Sequence, residues 1–137
     1  SGNVSAACTA PWLTVDRCLC AGGVPGVARA LRQLGCVVAF LGAVRVAMAL
    51  HAQALQMRQR LVGPASSTDV AQSLNDLAMS HRVTGQVAAA VKLHTKALDM
   101  YEAAHRATGR ERHNLVRTYT WLALAHLSPN SGGGGGG

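Results

Sequence analysis

The sequence predicts an all-α fold, an α-solenoid of antiparallel helix pairs amounting to about two and a half repeats. Three observations predict it: self-similarity at a spacing of 43 to 45 residues, an apolar period of i, i+3, i+4 inside each copy, and glycines where the copies turn. Residues 47–57 align with residues 90–100 at an offset of 43, as do residues 27–35 with 70–78 and Gly42 with Gly85. A third copy of the leading segment, residues 115–123, follows at an offset of 45. Each unit of such an array buries its apolar face on its neighbours, so the chain is built as a surface rather than around a catalytic pocket. That favours a binding protein.

The elements follow in order. Residues 1–25 carry no helical period and include Gly2, Pro11, Gly22, Gly23 and Pro25, which predicts an irregular N-terminal extension. The repeat domain spans 26–127. Its first helix is expected over 27–41, the second over 43–61 after a turn at Gly42, and Gly63-Pro64 breaks the chain. Ser67, Thr68 or Asp69 caps the third helix, which places Ala71, Leu74, Leu77, Ala78 and His81 on its packing face. Gly85 turns into a fourth helix, 87–107, with Ala90, Leu93, His94, Ala97, Leu98 and Tyr101 inward. Gly109 ends that helix. The fifth, 111–127, puts Tyr119, Leu122, Ala123 and His126 on the matching face, and Pro129 stops it. Residues 128–137 finish in six glycines and predict a flexible tail. Small residues recur at equivalent positions (Gly35, Ala78, Ala123; Ala47, Ala90; Ala54, Ala97), where they let helix backbones approach closely.

Composition narrows the partners. The chain of 137 residues has a net charge of +7, and between Arg17 and Thr68 there is no acidic residue, whereas Arg29, Arg32, Arg45, Arg58 and Arg60 fall there. Such a field attracts acidic peptides, nucleic acid or an anionic membrane. Phe40 is the single phenylalanine, so the core is aliphatic. Cys8, Cys18, Cys20 and Cys36 read as reduced thiols, because Cys18 and Cys20 are too close for the usual zinc pairing and no second ligand pair follows. The apolar run 34–50 is short for a bilayer and carries Arg45, so it is a core helix rather than a membrane span. No starting methionine, signal peptide or cleavage site is evident.

Six histidines invite a metal or catalytic reading. His51 and His94 are repeat equivalents, however, and so are His81 and His126, which makes them packing residues standing where aromatics could. No His-Glu-x-x-His, no Ser/His/Asp arrangement and no phosphate loop is present, and the acidic residues are read as scattered and exposed. The expectation is no enzyme, no catalytic residue, no metal and no cofactor.

Leu74, Leu77-Ala78, Gly85, Ala90 and Ala97-Leu98 resemble the tetratricopeptide repeat. Residues 69–78 and 93–100 are similar in wording to the repeats of kinesin light chains, which are about 42 residues long. The resemblance covers residues 26–127. Departures are His81, Val38 and His126 where the family has a tyrosine, and His51 and His94 where it has a large aromatic. The resemblance implies that the leading helix of each pair lines a concave groove and that the Asn75 position contacts the backbone of a bound peptide. The groove-facing set is then Arg29, Arg32 and Cys36; Gln72, Asn75, Met79 and Arg82; and Arg117, Thr120 and Leu124.

Of these, Arg29, Arg32, Gln72, Asn75, Arg82, Arg117 and Thr120 are the candidate peptide-binding residues. Guanidinium groups pair bidentately with carboxylates, so the expected ligand is an acidic protein segment. Kinesin light chain repeats similarly bind acidic, tryptophan-containing cargo peptides. A structural subunit of a cytoskeletal or ciliary assembly is the second reading, and nucleic-acid binding, with no aromatic platform, ranks below both. A small-molecule substrate is not expected. The expected setting is cytoplasmic, at the cytoskeleton or cilium, as part of a longer array or complex.

Overall fold

A computed structural model describes residues 14–62 and 68–128, with side chains for 26–61 and 68–128. The described residues form five helices and no strand: α1 (Thr14–Phe40), α2 (Val44–Val62), α3 (Thr68–Val83), α4 (Val87–Thr108) and α5 (Arg112–Leu127). They pack consecutively, α1 on α2, α2 on α3, α3 on α4 and α4 on α5, as an up-and-down array. The all-α repeat architecture is therefore that of two complete helix pairs followed by one leading helix.

The turns explain the pairing. At the end of α1, the Ala43 N–H donates to the Val38 carbonyl at 3.1 Å and the Gly42 N–H to Ala39 at 3.0 Å. At the end of α3 the same pattern recurs one repeat later, from Gln86 to His81 at 2.8 Å and from Gly85 to Arg82 at 3.1 Å. Both are Schellman closures, which need a left-handed residue at the position after the cap. Gly42 (φ 92°) and Gly85 (φ 84°) supply it.

Alanines dominate the interior. Ala28, Ala47, Ala54, Ala71, Ala78, Ala90 and Ala97 are fully buried, so the helix pairs meet at methyl-sized contacts. Around them Val70, Leu74, Met100 and Tyr101 form the central cluster, with Leu55, Leu93 and Leu115 against it. Gly35 shows how tight this is. A Cβ there would lie 2.7 Å from the His51 ring, so the histidine fills the space that the missing side chain leaves.

Three expectations are corrected. The extension expected over 1–25 is helical from Thr14 onward: proline fixes φ near the helical value, and Pro25 removes one hydrogen bond without stopping propagation from the packed segment. Residues 1–13 lie outside the described residues, as do Gly63-Pro64, Ser67 and residues 129–137 of the glycine tail. Ser128, placed in that tail, closes α5 instead, with its N–H and Oγ both donating to the Leu124 carbonyl. Finally, Tyr119, Ala123 and His126 are exposed rather than packed, and α5 buries Thr118 and Ala125. The register itself is consistent. Leu74, the equivalent of Tyr119, packs on α4, and Gly35, the equivalent of Ala123, packs on α2. Among the described residues α5 has no following helix, so the same positions stay open.

Candidate functional site

The leading helices α1, α3 and α5 bring their groove-facing residues to a cleft of about 340 Å³. Arg32, Cys36 and Ala39 line it from α1, Asp76, Met79 and Val83 from α3, and Arg117 and Trp121 from α5, with Val44 and His51 of α2 completing the wall. These residues share a face because each leading helix repeats its surface every three or four positions. Arg32, Cys36, Met79 and Arg117 are thus brought together as the sequence predicted.

Charge in the cleft is more balanced than the sequence suggested. Arg32 Nε donates to Asp76 Oδ2 at 2.5 Å, with both side chains largely covered. Asp76, read as one of the scattered exposed acids, is therefore the groove's own counter-ion. The signal was available, since Asp76 is four residues after Gln72 and three before Met79, on the same helical face. Arg117 lies 4.7 Å above the Trp121 ring, a cation–π contact that holds the guanidinium at the cleft wall. The Cys36 thiol is pushed up first by burial and then by Asp76, so it stays protonated rather than nucleophilic.

Beneath the cleft lies a polar chain across three helices. Asn75 Nδ2 donates to Thr118 Oγ1 at 2.8 Å, and Thr118 Oγ1 donates to the Asn114 carbonyl at 2.7 Å. Asn75 Oδ1 is left to accept, so His94 Nδ1, 2.8 Å away, carries the proton and donates. His94 is fully buried, its ring 5.9 Å from that of Trp121, and burial lowers its pKa to about 4. It is a neutral packing residue. His51 is likewise buried, and burial lowers its pKa below the ordinary value.

This chain removes Asn75 from the peptide-contacting set, for it is only 3% exposed and both ends of its amide are used internally. Other expected residues are placed as follows. Arg29 is exposed and Arg82 half-buried, and neither lines the cleft. Gln72 accepts from Arg58 Nη1 at 3.3 Å. Thr120 is exposed, but its hydroxyl donates back to the Val116 carbonyl at 2.8 Å. Leu124 is exposed away from the cleft. Arg58, counted in the basic field, is instead buried and donates through Nη1 to the Asp69 carbonyl (2.7 Å) and Ser73 Oγ (2.9 Å), bracing α2 against α3.

No group of His, Cys, Asp and Glu suited to a metal ion occurs among the described residues. Likewise no described helix is long and apolar enough to cross a membrane.

The sequence model of the tetratricopeptide repeat matches residues 27–67 and 70–105, more than half of the chain. The chain belongs to the tetratricopeptide repeat family. The matched segments coincide with the two helix pairs α1–α2 and α3–α4, and α5 follows as the leading helix of a further tetratricopeptide unit. Tetratricopeptide repeats generally mediate protein–protein interaction and typically serve as non-enzymatic scaffolds. No curated protein matches the chain.

Proposed function

We propose that this repeat domain is a protein-interaction scaffold that holds an acidic peptide segment in the cleft between α1, α3 and α5. The observation that carries the reading is the cleft's composition: apolar walls from Ala39, Val44, Met79 and Val83, with Arg32 and Arg117 on either side of Asp76. A peptide carboxylate would meet Arg117 directly and compete with Asp76 for Arg32, while an adjacent apolar side chain fills the volume. The peptide-binding set this supports is Arg32, Cys36, Met79, Arg117 and Trp121, with Arg29 and Arg82 supplying field rather than contact.

Trp121 lines the cleft and reports on it. Titrating acidic peptides, with and without tryptophan-free apolar anchors, should change its fluorescence, and Arg117→Ala should weaken binding roughly tenfold, the loss of one charge-assisted contact. Unchanged emission across the peptide series, from a protein with wild-type helicity, would refute the reading.

A second reading is favoured by α5. Tyr119 is 51% exposed, and Ala123 is exposed too, at positions that Leu74 and Ala78 bury in the preceding repeat. That is the surface of a component of a larger array or cytoskeletal assembly, in which another helix completes the third unit. Kinesin-light-chain-like biology and a cytoplasmic, cytoskeletal or ciliary setting belong to this same proposal. Sedimentation distinguishes the readings, because an assembly piece self-associates through α5 while a free receptor stays monomeric.

A further inference from the structure

The up-and-down packing gathers the ends of α1, α3 and α5 and the starts of α2 and α4 at one edge of the array. That edge is apolar where helix turns usually are not. Phe40, the chain's single phenylalanine, is 91% exposed, Leu41 75%, Val83 60% and Leu127 80%. Phe40 and Val83 are repeat equivalents at the offset of 43, so the exposure recurs from one turn to the next. A cleft of about 260 Å³ lined by Arg45, Met48, Thr84 and Gln86 joins the two turns into one surface.

The same edge carries no acid. Within five residues of the helix tips its basic groups are Arg45, His81, Arg82, Lys92 and His126, and no carboxylate lies within that distance. The described carboxylates lie elsewhere. Asp69 and Glu111 begin helices at the opposite edge, Asp76 is mid-helix and paired to Arg32, and Asp99 and Glu102 sit in the second half of α4. The molecule is therefore polarised along its helix axes, with one end apolar and purely basic.

We infer that this turn edge is a peripheral membrane-binding surface that inserts Phe40 and Leu41 at an anionic bilayer, with Arg45 and its basic neighbours meeting the lipid phosphates. A bilayer interface is the partner that takes an exposed aromatic tip and a cationic collar together, because hydrocarbon accepts the first and the negative surface potential the second. The exposed apolar residues are spread over the tips of α1, α3 and α5 rather than gathered in one pocket, which suits an extended interface more than a single peptide side chain. The surface borders the peptide cleft and shares Val83 with it, so a scaffold bound there would hold its partner next to the membrane.

The test is flotation of the full chain with vesicles of phosphatidylcholine alone and of phosphatidylcholine with a minority of phosphatidylserine. The protein should float with the anionic vesicles, not with the neutral ones, and less at higher salt. Phe40→Ser/Leu41→Ser should lower the partition coefficient roughly tenfold or more, and Arg45→Glu roughly tenfold. Because these side chains face solvent, thermal melts should be unchanged, and Leu127→Ser on α5 repeats the test from another helix. No flotation with anionic vesicles overturns the inference. So does flotation that survives Phe40→Ser/Leu41→Ser, which would leave charge alone at work. Sedimentation showing that the same double variant dissolves a dimer, without vesicle binding, would assign the edge to self-association instead.

Discussion

At the scale of residues, the buried polar chain His94–Asn75–Thr118 decides how α3, α4 and α5 seat on one another. Each member is buried and each hydrogen bond is about 2.8 Å, so removing the middle one strands two partners. Asn75→Ala should cost about 1–3 kcal/mol in urea unfolding, the penalty for leaving a buried donor and acceptor unmade. The histidines add a pH dependence. Burial lowers the pKa of His94 to about 4 from an ordinary 6.5 and lowers that of His51 as well. The unfolded chain therefore binds these protons first. The stabilisation is fully present above about pH 6.5, declines as pH falls toward 4, and levels off below that. For His94 the loss amounts to as much as about 3 kcal/mol. Urea midpoints should fall between pH 7.5 and pH 5 in the wild type and fall less in His94→Gln.

At the scale of elements, helix pairing rests on close approach rather than on large side chains. The contact of Gly35 with His51 is the clearest case, with 2.7 Å to a built Cβ. Gly35→Ala should push α1 from α2 and cost about 1–3 kcal/mol, read as a lower melting temperature without loss of helical circular dichroism below it. The repeat makes a contrast available inside one molecule. The equivalent position in the second unit is Ala78, fully buried, so that unit accommodates the methyl group which the first does not. His94, the equivalent of His51, is instead held by its hydrogen bond to Asn75. Two units of one wording have thus reached two packings.

At the scale of the whole molecule, stability should be graded. The pair α3–α4 is packed from both sides, by α2 and by α5, whereas α5 is covered on one side only. Local opening draws on the elements with fewest buried contacts, so the amides of α5 should exchange with deuterium well before those of α3 and α4. A partner helix on the Tyr119–Ala123 face should slow that exchange. Protection of α5 equal to that of α3, in the isolated chain, would show the face already covered. The functional surfaces follow the same geometry. The cleft faces across the leading helices and the apolar, basic edge faces along their ends, and the two meet at Val83.

Much of this was legible in the sequence. The period of 43 residues, the turn glycines and the recurring alanines fixed the helices and their pairing, because local geometry and close packing leave few alternatives for such a pattern. They also placed Arg32, Cys36, Met79 and Arg117 on one face. What a one-dimensional period cannot express is how neighbouring units satisfy each other's polar groups. Asn75 looked like a ligand contact and proved to be an internal bond. Arg58 looked like part of a basic field and proved to brace α2 against α3, and Asp76 proved to be the partner of Arg32. A buried polar group must find a partner wherever the fold supplies one, often in another repeat. Helical spacing by itself determined which face each residue occupies, and only the tertiary structure decided which of those residues remain free to bind something else.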